Sequence, residues 1–110
     1  MGIVYSRWKD SRHRERVQIY RYCLKYELLK VEKIKSDNDL LSKYRWHYND
    51  ASGNSKYYNE QDNQLINRHY HAGLEYVVAS TYKKDHIINL KKMIVDDGIC
   101  IYKLNKDLIF

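Results

Sequence analysis

The stretch Met93-Ile-Val-Asp-Asp-Gly-Ile-Cys-Ile-Tyr-Lys-Leu104 decides the fold class. Two runs rich in β formers, Met93 to Val95 and Ile99 to Leu104, flank Asp97-Gly98, and an Asp-Gly pair suits the positive backbone angles of a tight type I′ turn. The reading is a C-terminal β-hairpin. Upstream, Leu65, Ile66, His69, Gly73, Tyr76 and Val77 fit one helical face between Glu60 and Tyr82. The part from 69 to 82 could equally be a strand, and helix is preferred because the helical spacing persists before it. Residues 49 to 56 (NDASGNSK) cluster turn formers and read as a loop.

The N-terminal half carries the strongest helical signal. Val17, Tyr20, Leu24, Leu28 and Val31 recur at helical spacing from Ser11 to about Lys35, with Asp10 or Ser11 placed to cap the start. Ser36 and Asp39 form an S-x-x-D box ahead of Leu40, Leu41 and Tyr44, which predicts a second helix from about Asp37 to Tyr48. Before the first helix, Ile3 and Tyr5 alternate with Val4, which suits a short strand over Gly2 to Trp8. The expected fold is α+β, with two or three helices packed on a small antiparallel sheet that includes the C-terminal hairpin and the N-terminal strand. With 110 residues the chain is sized for a single domain, 1–110, made of a basic half 1–48, a loop 49–56 and a neutral half 57–110.

The net charge of +6 becomes informative once it is located. Residues 1 to 48 hold twelve Lys and Arg against six Asp and Glu, whereas residues 49 to 110 hold eight of each. The whole surplus is N-terminal, and clustered positive potential attracts phosphates, anionic surfaces or acidic proteins. On the first helix Arg14, Gln18, Arg21 and Lys25 follow i, i+4, i+7 and i+11. At about 100° per residue they form one stripe, roughly 70° round from Val17 and beside the apolar seam. Arg and Lys there would neutralise phosphates, and Arg or Gln could read base edges; the plainer alternative is the solvated face of an amphipathic helix. Arg7, Lys9, Arg12 and Arg16, with His13, collect at the expected helix start, where the helix dipole disfavours cations by about 0.3 to 1 kcal/mol each.

Twelve tyrosines are many for this length. Tyr5, Tyr20, Tyr22 and Tyr26 interleave with the cations; Tyr20 belongs to the seam, while Tyr22 and Tyr26 fall nearer the back of the helix. Tyrosine stacks on bases and also anchors protein interfaces.

Catalytic motifs are absent. No GxGxxG, Walker loop or GxSxG occurs, and Asp85-His86-Ile87-Ile88 lacks the partners of an HNH nuclease motif. His69 and His71 would diverge on a helix and could share a metal only on a strand, so no metal or other cofactor is expected. Cys23 and Cys100 belong to no CxxC pair and read as separate thiols. No apolar run reaches the roughly 20 residues that span a bilayer, and the N-terminus turns charged before a signal-peptide core could form, which implies a cytoplasmic protein with no membrane partner. Abundant Lys, Asn, Ile and Tyr suggest AT-rich coding, as in a low-GC bacterium or a mobile element.

These features predict a non-catalytic protein that engages nucleic acid or a nucleic-acid-processing complex through Arg7, Lys9, Arg12, Arg14, Arg16, Gln18, Arg21, Tyr22 and Lys25. The rival expectation is a phage or mobile-element inhibitor that binds a host nuclease or CRISPR effector, an anti-CRISPR-like role. A small metal-dependent or RNA-cleaving enzyme is the remaining alternative.

Overall fold

The computed structural model describes residues 2–34, 43–80 and 84–109, and within the first helix the side chains of 12–30. Two helices, α1 (Gly2–Ile34) and α2 (Glu60–His71), pack on a six-stranded antiparallel sheet. The strands are β1 (Tyr44–Asn49), β2 (Ser55–Tyr57), β3 (Tyr76–Ala79), β4 (His86–Asn89), β5 (Ile94–Asp96) and β6 (Ile101–Leu108), in the order β2-β1-β6-β5-β4-β3. The expected α+β architecture with a C-terminal strand pair is therefore present.

Strand β6 joins two halves of the sheet. Its first residues pair with β5, Asp96 opposite Ile101 and Ile94 opposite Lys103, and its remainder pairs with β1, Tyr48 opposite Leu104 and Tyr44 opposite Leu108. The sheet curls around α2. Side chains on successive strand residues point to opposite faces, and Val77, Ile88, Val95 and Tyr102 stand in one cross-strand row towards the α2 side. There they join Trp46, Tyr48, Tyr58, Ala79 and Leu104, with Ile66 contributed by α2. The neighbouring row, Val78 and Ile87, faces the other way and meets Val17, Tyr20 and Leu24 of α1.

Helix α2 is held to β1 by two asparagines one turn apart. Strand β2 is too short to cover the start of β1, since its pairing begins only at His47. Asn63 and Asn67 take up the polar groups left over. Trp46 N–H donates to Asn63 Oδ1 at 2.8 Å, and Asn63 Nδ2 donates to the Tyr44 carbonyl at 3.0 Å. Tyr44 N–H and Trp46 Nε1–H both donate to Asn67 Oδ1, at 3.1 and 3.0 Å, and Asn67 Nδ2 donates to the Tyr44 carbonyl at 3.0 Å. This allows Trp46 to be fully buried with its indole N–H satisfied. Around it, Tyr44 and Tyr70 meet the indole edge-on. The Lys106 ammonium sits 4.5 Å above the Tyr44 ring and 4.2 Å above that of Tyr70, and it hydrogen-bonds the Tyr70 hydroxyl.

Four expectations are corrected. The strand over Gly2 to Trp8 is instead the beginning of α1, and the cap at Asp10 or Ser11 lies inside that helix; no glycine or proline stands between Ile3 and Ser52 to stop it. The helix predicted to reach Tyr48 is strand β1 from Tyr44 onward, because Tyr44, Trp46 and Tyr48 alternate as aromatics facing one core; residues 35–42, with the S-x-x-D box, lie outside those described. The helix predicted to run to Tyr82 ends at His71. Gly73, at φ 75°, closes it in a Schellman arrangement, with Gly73 N–H bonded to the Tyr70 carbonyl and Leu74 N–H to that of His69. The rest of the segment is β3, so the strand alternative holds for Tyr76–Ala79. Finally, the hairpin turn is not a two-residue type I′ turn. Asp96 pairs with Ile101, leaving a four-residue connection in which only Gly98 adopts positive φ, at 93°. Asp97 Oδ1 accepts from the amides of Ile99 and Cys100, and Asp96 Oδ1 from Gly98 N–H.

Asn63→Ala strands the buried Trp46 amide. It is expected to lower the unfolding free energy by about 1–3 kcal/mol, the cost of one orphaned buried donor, as a shift in the urea midpoint; an unchanged midpoint contradicts the role given to Asn63.

Candidate nucleic-acid or partner interface

Helix α1 has 33 residues, equivalent to about 50 Å of rise, and the longest dimension of the molecule is 54 Å. Among the described side chains of α1, 12–30, the sheet engages one stripe. Val17 and Leu28 are buried and Tyr20 and Leu24 half-buried, so the predicted apolar seam is the docking seam; Val31 lies outside the described side chains. Tyr20 stacks on Tyr76 of β3 with ring centroids 4.9 Å apart.

Polar anchors flank the seam. His13 Nε2 donates to the Asp85 carbonyl at 2.7 Å, and its ring also packs on the hairpin loop, where a Cβ on Gly98 would fall 2.8 Å from His13 Cγ. Arg16 pairs with Asp96 at 3.4 Å and lies against the Tyr20 ring. Arg21 pairs with Asp85 at 2.8 Å and hydrogen-bonds Ser80 Oγ, which itself donates to Asp85 at 3.0 Å. Each pair is about half solvated, and such pairs contribute roughly 0–1 kcal/mol. Their effect is to fix the rotation of α1 on the sheet.

This separates the predicted interface residues. Arg16 and Arg21 are engaged by the fold. Arg14, Gln18, Tyr22 and Lys25 are exposed on the helix, as is Arg12. Arg7 and Lys9 belong to α1, their side chains outside those described. The helix starts at Gly2, so Arg12, Arg14 and Arg16 sit well past its first turn, and the argument that cations there oppose the helix dipole no longer applies to them. The exposed large apolar side chains of α1 outside the predicted set are Ile19, Tyr26 and Leu29. Their spacing of three, four and three about Tyr22 and Tyr26 is the signal in the sequence that points to them. Beside Lys25, a groove of about 320 Å³ opens between the helices, floored by Leu24, Leu28, Leu65 and Val78 and edged by Arg21 and Arg68.

His69, His71 and His86 each make contacts within the fold. His69 is buried, its Nδ1 bonded to the Leu65 carbonyl, whereas His71 stacks on Tyr44. His86 is buried among Tyr48 and Tyr58, with its Nδ1 hydrogen-bonded to the Tyr58 hydroxyl at 3.1 Å. Burial lowers its pKa below the ordinary 6.5, against a smaller opposing pull from the Asp97 carboxylate. Burial would by itself raise the Asp97 carboxyl, but the Cys100 and Ile99 amides and then Lys84 bring it below the usual value. Among the described residues no three His, Cys, Asp or Glu side chains are grouped to hold a metal ion, and no helix is long and apolar enough to cross a membrane. Cys23 and Cys100 are both free thiols at the surface.

No protein-family model matches the chain, and no curated protein matches its sequence.

Two outcomes follow from these contacts. Gly98→Ala adds a Cβ into the His13 ring at a positive φ, whereas Gly53→Ala meets the same backbone strain, at φ 82°, in open space. Gly98→Ala should cost about 1–3 kcal/mol in urea unfolding and more than Gly53→Ala; equal costs contradict the helix–hairpin contact. For His86, the folded pKa lies below the unfolded one, so the unfolded state binds more protons between them and stability rises with pH there. Melting temperature should fall as the pH drops through 6.5, and His86→Gln should flatten that slope; an unaltered slope in the variant contradicts it.

Proposed function

We propose that the protein is a non-catalytic binding module that engages nucleic acid, alone or within a nucleoprotein complex, along the outward side of α1. The observation that carries this reading is the one-sided docking of that helix. Arg16 and Arg21 reach back to ion pairs on the sheet, while Arg14, Gln18 and Lys25 stay exposed on one strip and make no ion pair with any described residue. Cations held on a rigid rod can track a phosphate backbone without first paying to order themselves. Tyr22 beside them, in edge contact with Tyr26 at 5.4 Å, offers an aromatic face for a base. The N-terminal surplus of charge supports the same reading.

A second reading, an inhibitor that docks on a nucleic-acid-processing protein, is favoured by the exposed apolar side chains of the same helix, Ile19, Tyr22, Tyr26 and Leu29.

Fluorescence anisotropy with labelled duplex DNA, single-stranded DNA and RNA tests the first reading. The probe is an Arg14→Glu, Lys25→Glu variant, which spares the Arg21–Asp85 anchor. Wild-type affinity should fall steeply with salt, and the variant should bind at least tenfold more weakly with a log–log slope shallower by about 1.4–1.8, the value for two phosphate contacts. Equal affinities, or no binding even at low salt, overturn it.

A further inference from the structure

The back of α1 carries a second apolar seam that stays exposed among the described residues. Ile19, Tyr22, Tyr26 and Leu29 follow steps of three, four and three, the a/d alternation of a heptad. At about 100° per residue they fall within a sector of roughly 80° on the side away from Val17 and Leu28. They are 60%, 68%, 55% and 52% exposed. A helix docked on a sheet by one stripe needs only that stripe to be apolar, so a contiguous second seam in solvent marks a contact surface. Arg12 and Glu15, the next positions of the same alternation, are charged and end the seam on its N-terminal side. The seam from Ile19 to Leu29 is about 15 Å long, the length of three turns.

The flanks say what the seam accepts. In the register set by these four residues, Gln18 and Lys25 border one side and Cys23 and Lys30 the other, all exposed and none acidic. A second copy laid parallel would set Lys25 against Lys30, and an antiparallel copy would set Lys25 against Lys25, so self-pairing is opposed in both orientations. Acidic flanks on a different helix would be matched.

We propose that this face of α1 is the docking site for an amphipathic helix of another protein, with Leu or Ile at its a and d positions and Glu or Asp beside them. The inference deepens the second reading above by giving the chemistry of the partner, and it does not depend on nucleic-acid binding.

The test uses the full chain and two capped peptides of three heptads. Both carry Leu at a and d and Ala elsewhere, one with Glu at e and g and the other with Lys. In isothermal titration the Glu peptide should bind one to one and at least tenfold more tightly than the Lys peptide. Ile19→Ser with Leu29→Ser should weaken that binding at least tenfold, while leaving the circular dichroism spectrum and any nucleic-acid anisotropy unchanged, since neither residue contacts a phosphate in the reading above. Loss of nucleic-acid binding in Arg14→Glu, Lys25→Glu without loss in the serine variant therefore separates the two surfaces. The proposal is overturned if neither peptide binds, if both bind alike, or if sedimentation shows a wild-type dimer that the serine variant dissolves, because the occupant would then be a second copy.

Discussion

Asn63 and Asn67 stand where the sheet would otherwise need another strand. The start of β1 has β6 on one side and nothing on the other, and these two amides accept and donate to the polar groups of Tyr44 and Trp46 on that open side. Leaving a buried donor unpaired costs about 1–3 kcal/mol, so the pair of asparagines, one helical turn apart, is what lets α2 lie against β1 with Trp46 sealed beneath it. The curl follows. With α2 inside the bend, Tyr58 reaches His86 from the far half of the sheet, and β6 can serve β5 with one end and β1 with the other.

Because α2 fills the inner face, the outer face of β3 and β4 is left for α1. Neighbouring residues on these short strands do opposite work: Val77 and Ile88 belong to the inner core, Val78 and Ile87 to the contact with α1. Among the described side chains that contact occupies one seam of the helix, and it is kept in rotational register by His13, Arg16 and Arg21, each reaching a loop or strand end of the sheet. The consequence is a rod displayed at fixed angle, with its cationic strip and its second apolar seam both turned to solvent. Binding to such a surface carries little ordering cost, which is the physical advantage of building it on a docked helix and not on a loop.

Parts of this were legible in the sequence. The hairpin was visible because Asp97-Gly98 is flanked by β formers, and the docking seam because Val17, Tyr20, Leu24 and Leu28 repeat at the helical period. The start of α1 was missed because the seven residues from Gly2 to Trp8 are too few to distinguish a strand from the first two turns of a helix. Strand β1 was missed because a cap-like box before Leu40 outweighed the alternation of Tyr44, Trp46 and Tyr48, and β4 because four consecutive buried residues, His86 to Asn89, have no period to read. The turn length depended on two aspartates bonding amides beyond them, which the dipeptide alone does not reveal. The exposure of Arg14, Gln18, Tyr22 and Lys25 follows from helical angle alone. The ion pair of Arg21 does not, since its partner Asp85 lies 64 residues away and only the folded sheet brings them together.

The most direct test of the account is an NMR titration of the isotope-labelled protein with a short single-stranded RNA at low salt. The account predicts amide shift changes concentrated along the α1 segment from Arg14 to Leu29, with β1 and the inner core unmoved. Shift changes centred instead on the α2 side of the sheet, with α1 silent, would contradict the claim that the displayed helix is the binding surface.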